Sequence, residues 1–206
     1  MRQLDFEDFA KLLMDPLRKK WQDPESIIEQ IGIQSGWAVA DLGCGPGYFT
    51  TFLSQKVGKD GMVYAVDASS VMLEYLASNL VQLAPSTKAN VNMINSEASN
   101  TSIPDHSVDC VLFANILHDI DDKRAFLAEV RRILRKQSSL VVDVDWHKRD
   151  MDMGPPKEIR LTEAESRKLL NDSGFRIVHL INAGPHHYGF VATLPSTGRK
   201  KAVGNA

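Results

Sequence analysis

Between residues 37 and 49 the chain reads Trp-Ala-Val-Ala-Asp-Leu-Gly-Cys-Gly-Pro-Gly-Tyr-Phe: an apolar run, then an acid, Asp41, then glycines at 43, 45 and 47. Alternating glycines after a buried strand let the backbone turn with positive φ and let a ligand come close where any Cβ would intrude. The helix that follows points free N–H groups at the same place. The spacing restricts the ligand. A dinucleotide fingerprint G-x-G-x-x-G counted from Gly43 and Gly45 requires glycine at position 48, where Tyr48 stands. A nicotinamide-dependent oxidoreductase is thereby disfavoured. Cys44 lies inside the turn; as a small residue it fits close packing, and a nucleophilic role is the alternative.

Further residues with chemical potential fall near the ends of the other apolar runs. Asp67 closes Ala65-Val66, where a carboxylate can accept from both hydroxyls of a ribose; capping the helix from Ser69 or Ser70 is the competing role. Glu97 and Ala98 follow Met93-Ile-Asn95, and Ala114-Asn115-Ile-Leu-His118 follows the next run. His118 is the candidate general base, with helix capping or loop fixing as the alternatives. Asp143 and Asp145 share one face of a strand. Trp146, His147, His186, His187 and Tyr188 form the candidate substrate pocket. No histidine pair has i, i+4 ligand spacing, and His186 and His187 are expected on opposite faces of a strand, so no metal is assigned.

These positions need a framework. Phe6, Phe9, Leu13 and Leu17 recur at helical spacing, and Asp23-Pro24 reads as an N-cap and first turn leading into Ile27, Ile28 and Ile31. Strands are predicted over 37–42, 63–66, 91–95, 108–114 and 140–144. Helical faces run from about 46 to 57, from Val71 to Leu83 with Pro85 as the stop, and from Phe126 to Leu134. Thr162 to Glu165 fits a capping box, Gly174 a helix terminus, and 175–181 with 188–194 an antiparallel pair. The expectation is an α/β, Rossmann-like doubly wound sheet of about seven strands, mostly parallel with one antiparallel, and helices on both faces.

With 206 residues, the chain is expected to form one domain over 1–195, its helical extension at 1–34 acting as a lid on a 35–195 core, with a disordered tail at 196–206. The net charge of −2 gives no pull towards nucleic acid or an anionic membrane, and the basic triplet Arg199 to Lys201 reads as a solvated end. No apolar stretch approaches a membrane span, and Arg2, Asp5, Glu7 and Asp8 stand where a signal peptide needs an apolar run, so a cytoplasmic location is expected. Two cysteines, Cys44 and Cys110, suggest no disulfide framework. Oligomeric state is not readable.

The run Asp41-Leu-Gly43-Cys-Gly45-Pro-Gly47 resembles the first motif of the class I S-adenosylmethionine-dependent methyltransferases. The resemblance is strongest from 37 to 145 and closest to the group that includes quinone-biosynthesis enzymes. It implies an S-adenosyl-L-methionine site, with S-adenosyl-L-homocysteine as product, built from Asp41, Gly43, Cys44, Gly45, Gly47, Asp67, Ala68, Glu97, Ala98, Ala114 and Asn115. Glu97 stands where the family usually has Asp to accept from the adenine amino group, and is otherwise a solvated acid. Lys136-Gln-Ser-Ser139 replaces the usual Pro-Gly-Gly, and no Asn-Pro-Pro-Tyr motif follows the fourth strand, which disfavours nucleobase amino-group methylation. The implied reaction is methyl transfer to an unidentified small molecule; a non-catalytic or protein-modifying module that binds the same cofactor is the alternative.

Overall fold

The computed structural model describes residues 6–83, 89–135 and 139–195. The expected stop at Pro85, the replaced turn at 136–138, the charged residues Arg2 and Asp5 and the tail at 196–206 lie outside them. The amino-terminal segment is α1 (Phe6–Leu13), a 3-10 turn (Pro16–Lys20) and α2 (Pro24–Ile31). The apolar repeat from Phe6 to Leu17 is therefore not one helix. Pro16 has no N–H to continue α1, and the Asp15 carboxylate instead accepts from Leu17 N at 2.8 Å to start the 3-10 turn. Asp23 caps α2 through Glu25 N, as its sequence suggests.

The remainder alternates: β1 (Ala38–Leu42), α3 (Tyr48–Val57), β2 (Met62–Asp67), α4 (Ser70–Val81), β3 (Asn90–Asn95), β4 (Cys110–Ala114), α5 (Lys123–Ile133), β5 (Leu140–Trp146), α6 (Glu163–Asp172), β6 (Arg176–Leu180) and β7 (His187–Thr193). The seven strands lie in the order β3-β2-β1-β4-β5-β7-β6, and β7 runs antiparallel to both of its neighbours. This is the expected doubly wound sheet with one reversed strand. Strand order reverses between β1 and β4, the place where such sheets open a crevice beyond their carboxyl ends.

Alternate residues of the central strands face two apolar layers. Val111, Phe113 and Phe190 pack with Phe126, Val130 and Leu170 of α5 and α6. Leu112, Val142 and Val191 pack with Ile27, Ile31 and Leu53 of α2 and α3. β4 is shorter than its apolar run: Val108 makes only an isolated bridge to Leu134, and Asp109 turns its carboxylate to Ala38 N at 2.9 Å. β5 is longer than expected and reaches Trp146, because each of its last residues finds a partner in β7, ending with Trp146 opposite His187.

The connection from β3 to β4 is a loop, and it is held by α5. Glu129 Oε1 accepts from Thr101 N at 2.8 Å and Thr101 Oγ1 at 2.6 Å. Arg132 binds both oxygens of Glu129, at 2.6 and 2.7 Å, and donates to Ile103 O at 2.8 Å. Replacing Glu129 with Ala leaves the Thr101 N–H and the guanidinium short of partners, and should cost roughly 2–3 kcal/mol of stability by urea unfolding. A loss below about 0.5 kcal/mol would contradict this account of the loop.

Candidate active site

The glycine turn leaves β1 by handing two N–H groups to the next strand: Gly43 N and Cys44 N both donate to Val66 O, at 2.8 and 3.0 Å. All three glycines have positive φ, at 69°, 53° and 97°, but they are glycine for different reasons. A Cβ on Gly43 would fall 2.5 Å from Ile116 Cγ2, and one on Gly47 2.4 Å from Leu76 Cδ1. Close packing fixes both. A Cβ on Gly45 would meet only Leu13 Cδ1, at 3.8 Å, so Gly45 is the position that opens outward. Gly47 caps α3 without a side-chain bond, leaving the first N–H groups of that helix toward the turn.

Asp67 ends β2 beside this turn. Its Oδ2 accepts from Gly45 N at 2.8 Å and its Oδ1 from Ser69 N at 2.9 Å. The helix cap is Ser69, which accepts from Met72 N, so Asp67 braces the turn and keeps a further lone pair on each oxygen for a ligand. Asn95, which sequence reasoning passed over, donates from Nδ2 to Asp67 O at 3.0 Å and Ala68 O at 2.9 Å, tying β3 to this corner. Glu97 is exposed, and its carbonyl accepts from Asn100 N at 3.0 Å; Ala98 is buried against the core. Asp41 lies beneath the turn, 2% exposed, where it accepts from Thr50 Oγ1 at 2.6 Å. Burial pushes its pKa up to about 7 against that hydrogen bond. The Cys44 thiol is buried and raised far above its ordinary value by burial and by Asp41 and Asp67, which leaves no nucleophilic thiolate.

On the β4 side, Asn115 follows Ala114 with φ at 63°. Its amide is paired with Gln22 in both directions, Asn115 Nδ2 to Gln22 Oε1 at 3.1 Å and Gln22 Nε2 to Asn115 Oδ1 at 3.3 Å. Gln22 is fully buried. It also accepts from Arg18 Nε at 3.1 Å and Nη2 at 2.6 Å, and its carbonyl accepts from the Tyr48 hydroxyl at 2.7 Å. Arg18 is 7% exposed, gives a third hydrogen bond to Leu13 O at 2.8 Å and lies over the Tyr48 ring with 3.9 Å between Cζ and the centroid. Among the described residues no carboxylate pairs with it. Burial lowers its pKa to about 10, so it stays charged at neutral pH with donors to spare. Neither Arg18 nor Gln22 was legible as a site residue; the one available signal is a cation inside an otherwise helical apolar pattern.

His118 lies under the loop after β4. Its Nδ1 is 2.7 Å from Asp145 Oδ1, its backbone N donates to Asp145 Oδ2 at 3.1 Å, and its Nε2 is 3.3 Å from Asp119 Oδ2. Burial opposes the charge on the ring, but hydrogen bonds to Asp119 and Asp145 outweigh it and hold the pKa at about 9. Asp143, on the same face, accepts from Ser166 Oγ and is raised well above the carboxylate range by burial and by Asp145. The shared face of Asp143 and Asp145 is thus directed to His118 and Ser166.

The remaining pocket candidates divide between the two faces of the sheet. His147 and Tyr188 lie on the α6 side, ring centroids 5.9 Å apart, with His147 Nδ1 3.3 Å from Glu163 Oε1. Trp146 and His187 lie on the other side against Trp21, which stacks on His187 at 5.6 Å and 10°. His186 is not opposed to His187 as strand alternation predicts. It precedes β7, so its ring also meets Trp21, at 6.3 Å.

The glycine turn at the end of β1 and the acid that ends β2 beside it form a ligand-type corner of the sheet. A family profile described as "Methyltransferase domain" matches residues 39–137. The crystal structure of an S-adenosylmethionine-dependent methyltransferase from Aquifex aeolicus superposes with a TM-score of 0.83 at 30% identity, over 92% of this chain and 98% of that one. The chain belongs to the S-adenosylmethionine-dependent methyltransferases. Curated relatives include a ubiquinone/menaquinone biosynthesis C-methyltransferase of Hahella chejuensis, 31% identical over 56% of this chain and 45% of the relative. A demethylmenaquinone methyltransferase of a Geobacillus species is 29% identical over 59% of this chain and 50% of the relative. The chain spans about half the length of these curated relatives. S-adenosylmethionine is the cofactor that family membership assigns to the site.

The His118 pairing has a measurable consequence. Its folded pKa, about 9, stands above the ordinary histidine value, so its contribution to stability is complete below about pH 6.5 and is lost as pH rises through about 9. Asp41 changes charge lower, between the ordinary Asp range and about 7. Stability of the native chain minus that of His118→Gln, from urea unfolding at pH 6 to 9.5, should therefore fall across that window. A flat difference would refute the paired imidazolium.

Proposed function

We propose that this chain transfers a methyl group from S-adenosylmethionine to a small-molecule acceptor. The single observation that carries the reading is Arg18: a buried cation with no carboxylate partner among the described residues, on the β4 side of the glycine turn, with the Asp67 carboxylate on the β2 side. A ligand with hydroxyls at one end and a carboxylate at the other matches that polarity. In this reading Asp67 accepts from the ribose hydroxyls, Glu97 and Ala98 border the adenine, Gly45 lets the chain of the ligand pass, and Arg18 receives its carboxylate. Ala114 and Asn115 flank the methionine part, and residues 6–23 act as the lid.

When bound, the cofactor supplies an electrophilic methyl group on a sulfonium. The protein's task is then to hold an acceptor atom in line and to keep water away. His118 acts as a positioning residue. Protonated at neutral pH and held by Asp145, it fixes the loop after β4 and does not abstract a proton. Trp146, His147, His186, His187 and Tyr188 border the acceptor. Quinone-biosynthesis relatives support an acceptor of small size.

The test is calorimetry with two ligands, S-adenosylhomocysteine and 5′-methylthioadenosine, which lacks the amino-acid carboxylate. Arg18→Gln should weaken S-adenosylhomocysteine by about tenfold or more while leaving methylthioadenosine within about twofold. Asp67→Ala should weaken both by a similar factor. Binding of NADH in place of either ligand would overturn the reading. Incubation with labelled S-adenosylmethionine and a metabolite extract should put label in small molecules; label in protein alone would contradict the acceptor class.

A further inference from the structure

His187 opens β7, is 3% exposed, and has neither ring nitrogen hydrogen-bonded. Buried polar groups are ordinarily paired, and two unpaired nitrogens on one ring call for a partner. Neither the strand pairing nor the cofactor account supplies one. The ring instead forms a three-ring cluster with two indoles that are 5.7 Å from each other. Trp21 stacks on it with centroids 5.6 Å apart, and Trp146, its cross-strand neighbour, stands at 4.1 Å and 47°. Burial, helped by the charges of Arg18 and Arg160 and by neighbouring His186 and His147, pushes its pKa down to about 3. The imidazole is therefore neutral, with one N–H donor and one bare nitrogen.

We propose that His187 positions the methyl acceptor, and that the acceptor is a planar molecule bearing an acidic hydroxyl that takes the place over the imidazole now held by Trp21. The proposal rests on the reading of the chain as a methyltransferase. Three observations support it. Trp21 is half-buried and sits in the short link between the 3-10 turn and α2, whose Gln22 is joined to the end of β4 by the amide pair with Asn115 and to α3 by the Tyr48 hydroxyl, with no ion pair or disulfide among these joints. Moving that link uncovers the flat face of His187 and the edge of Trp146, a surface on which a planar ring stacks. Guanidinium groups flank both indoles, Arg18 at 5.8 Å from the Trp21 ring and Arg160 at 5.8 Å from Trp146, so an ammonium-bearing acceptor is repelled and an oxygen that readily sheds its proton is favoured. Position agrees as well: Trp146 ends β5, two residues beyond the Val144 that pairs with Ala114, on the β4 side of the glycine turn.

The experiment titrates the full chain, saturated with S-adenosylhomocysteine, with 2-naphthol, naphthalene and naphthalen-2-ylmethylammonium. The native chain should bind 2-naphthol about tenfold or more tightly than either of the others. His187→Phe, which keeps the ring and loses both nitrogens, should bind 2-naphthol and naphthalene alike, and His187→Gln should recover part of the preference. Trp21→Ala should tighten both neutral probes. Imidazole NMR of the native chain should show 2-naphthol shifting the His187 resonances, which decides the matter if His187→Phe fails to fold. No preference for 2-naphthol in the native chain, or an undiminished preference in His187→Phe, overturns the proposal. Failure of the native chain to bind S-adenosylhomocysteine would instead overturn the methyltransferase reading, so the two failures are distinguishable.

Discussion

At the carboxyl edge of this sheet the apolar strands stop while the protein interior continues, and any polar group left there loses water without automatically gaining a partner. That constraint organises the molecule. Asp41 is matched by Thr50, Asp145 by His118 and two backbone N–H groups, and Asp143 by Ser166. The first and last tie α3 and α6 to their strands, and the second fixes the loop after β4. Beside these pairings stand buried polar side chains with unused capacity, among them the Arg18 guanidinium and the His187 imidazole, which has both nitrogens unpartnered. One lies over Tyr48 beside the glycine turn and the other opposite Trp146 at the end of β5.

Both are tied to five residues of chain. Arg18, Trp21 and Gln22 sit between α1 and α2, and Gln22 reaches across to Asn115 and back to Arg18, while Tyr48 of the glycine turn's helix donates to the Gln22 carbonyl. Gly184 belongs to the same contact, since a Cβ there would lie 1.9 Å from the Trp21 carbonyl oxygen. The amino-terminal segment is thus joined to the glycine turn, the β4 end and the β6–β7 connection at once. Neutral amides, a hydroxyl and one cation make these joints, each hydrogen bond worth about 1 kcal/mol net.

The sequence made legible what is local. Glycines 43, 45 and 47, the acid ending β2, the Asp23 cap and the Thr162 capping box all declare themselves within a few residues, and the alternation of strands and helices follows from hydrophobic period. What escaped is long-range. Asn115 was legible as a site residue, but its partner Gln22 lies 93 residues away and nothing in its neighbourhood singles it out. His118 was readable as a general base, a helix cap or a loop brace, because the Asp145 it pairs with lies 27 residues on, in β5, and the break in the first helix at Pro16 was hidden by an apolar repeat that runs through it. The two-sided split of the pocket candidates depends on β5 extending to Trp146, an extension set by pairing with β7 and not by any property of residues 145 and 146 alone.

The central claim is that the amino-terminal segment and the glycine turn form one ligand-responsive unit, joined through Arg18 and Gln22. Backbone hydrogen exchange with and without S-adenosylhomocysteine tests it most directly. The account predicts that residues 13–23 and 43–48 gain protection together, and that Arg18→Gln abolishes the gain at 13–23 while 43–48 still respond at saturating ligand. Protection confined to 43–48 in the native chain would contradict it.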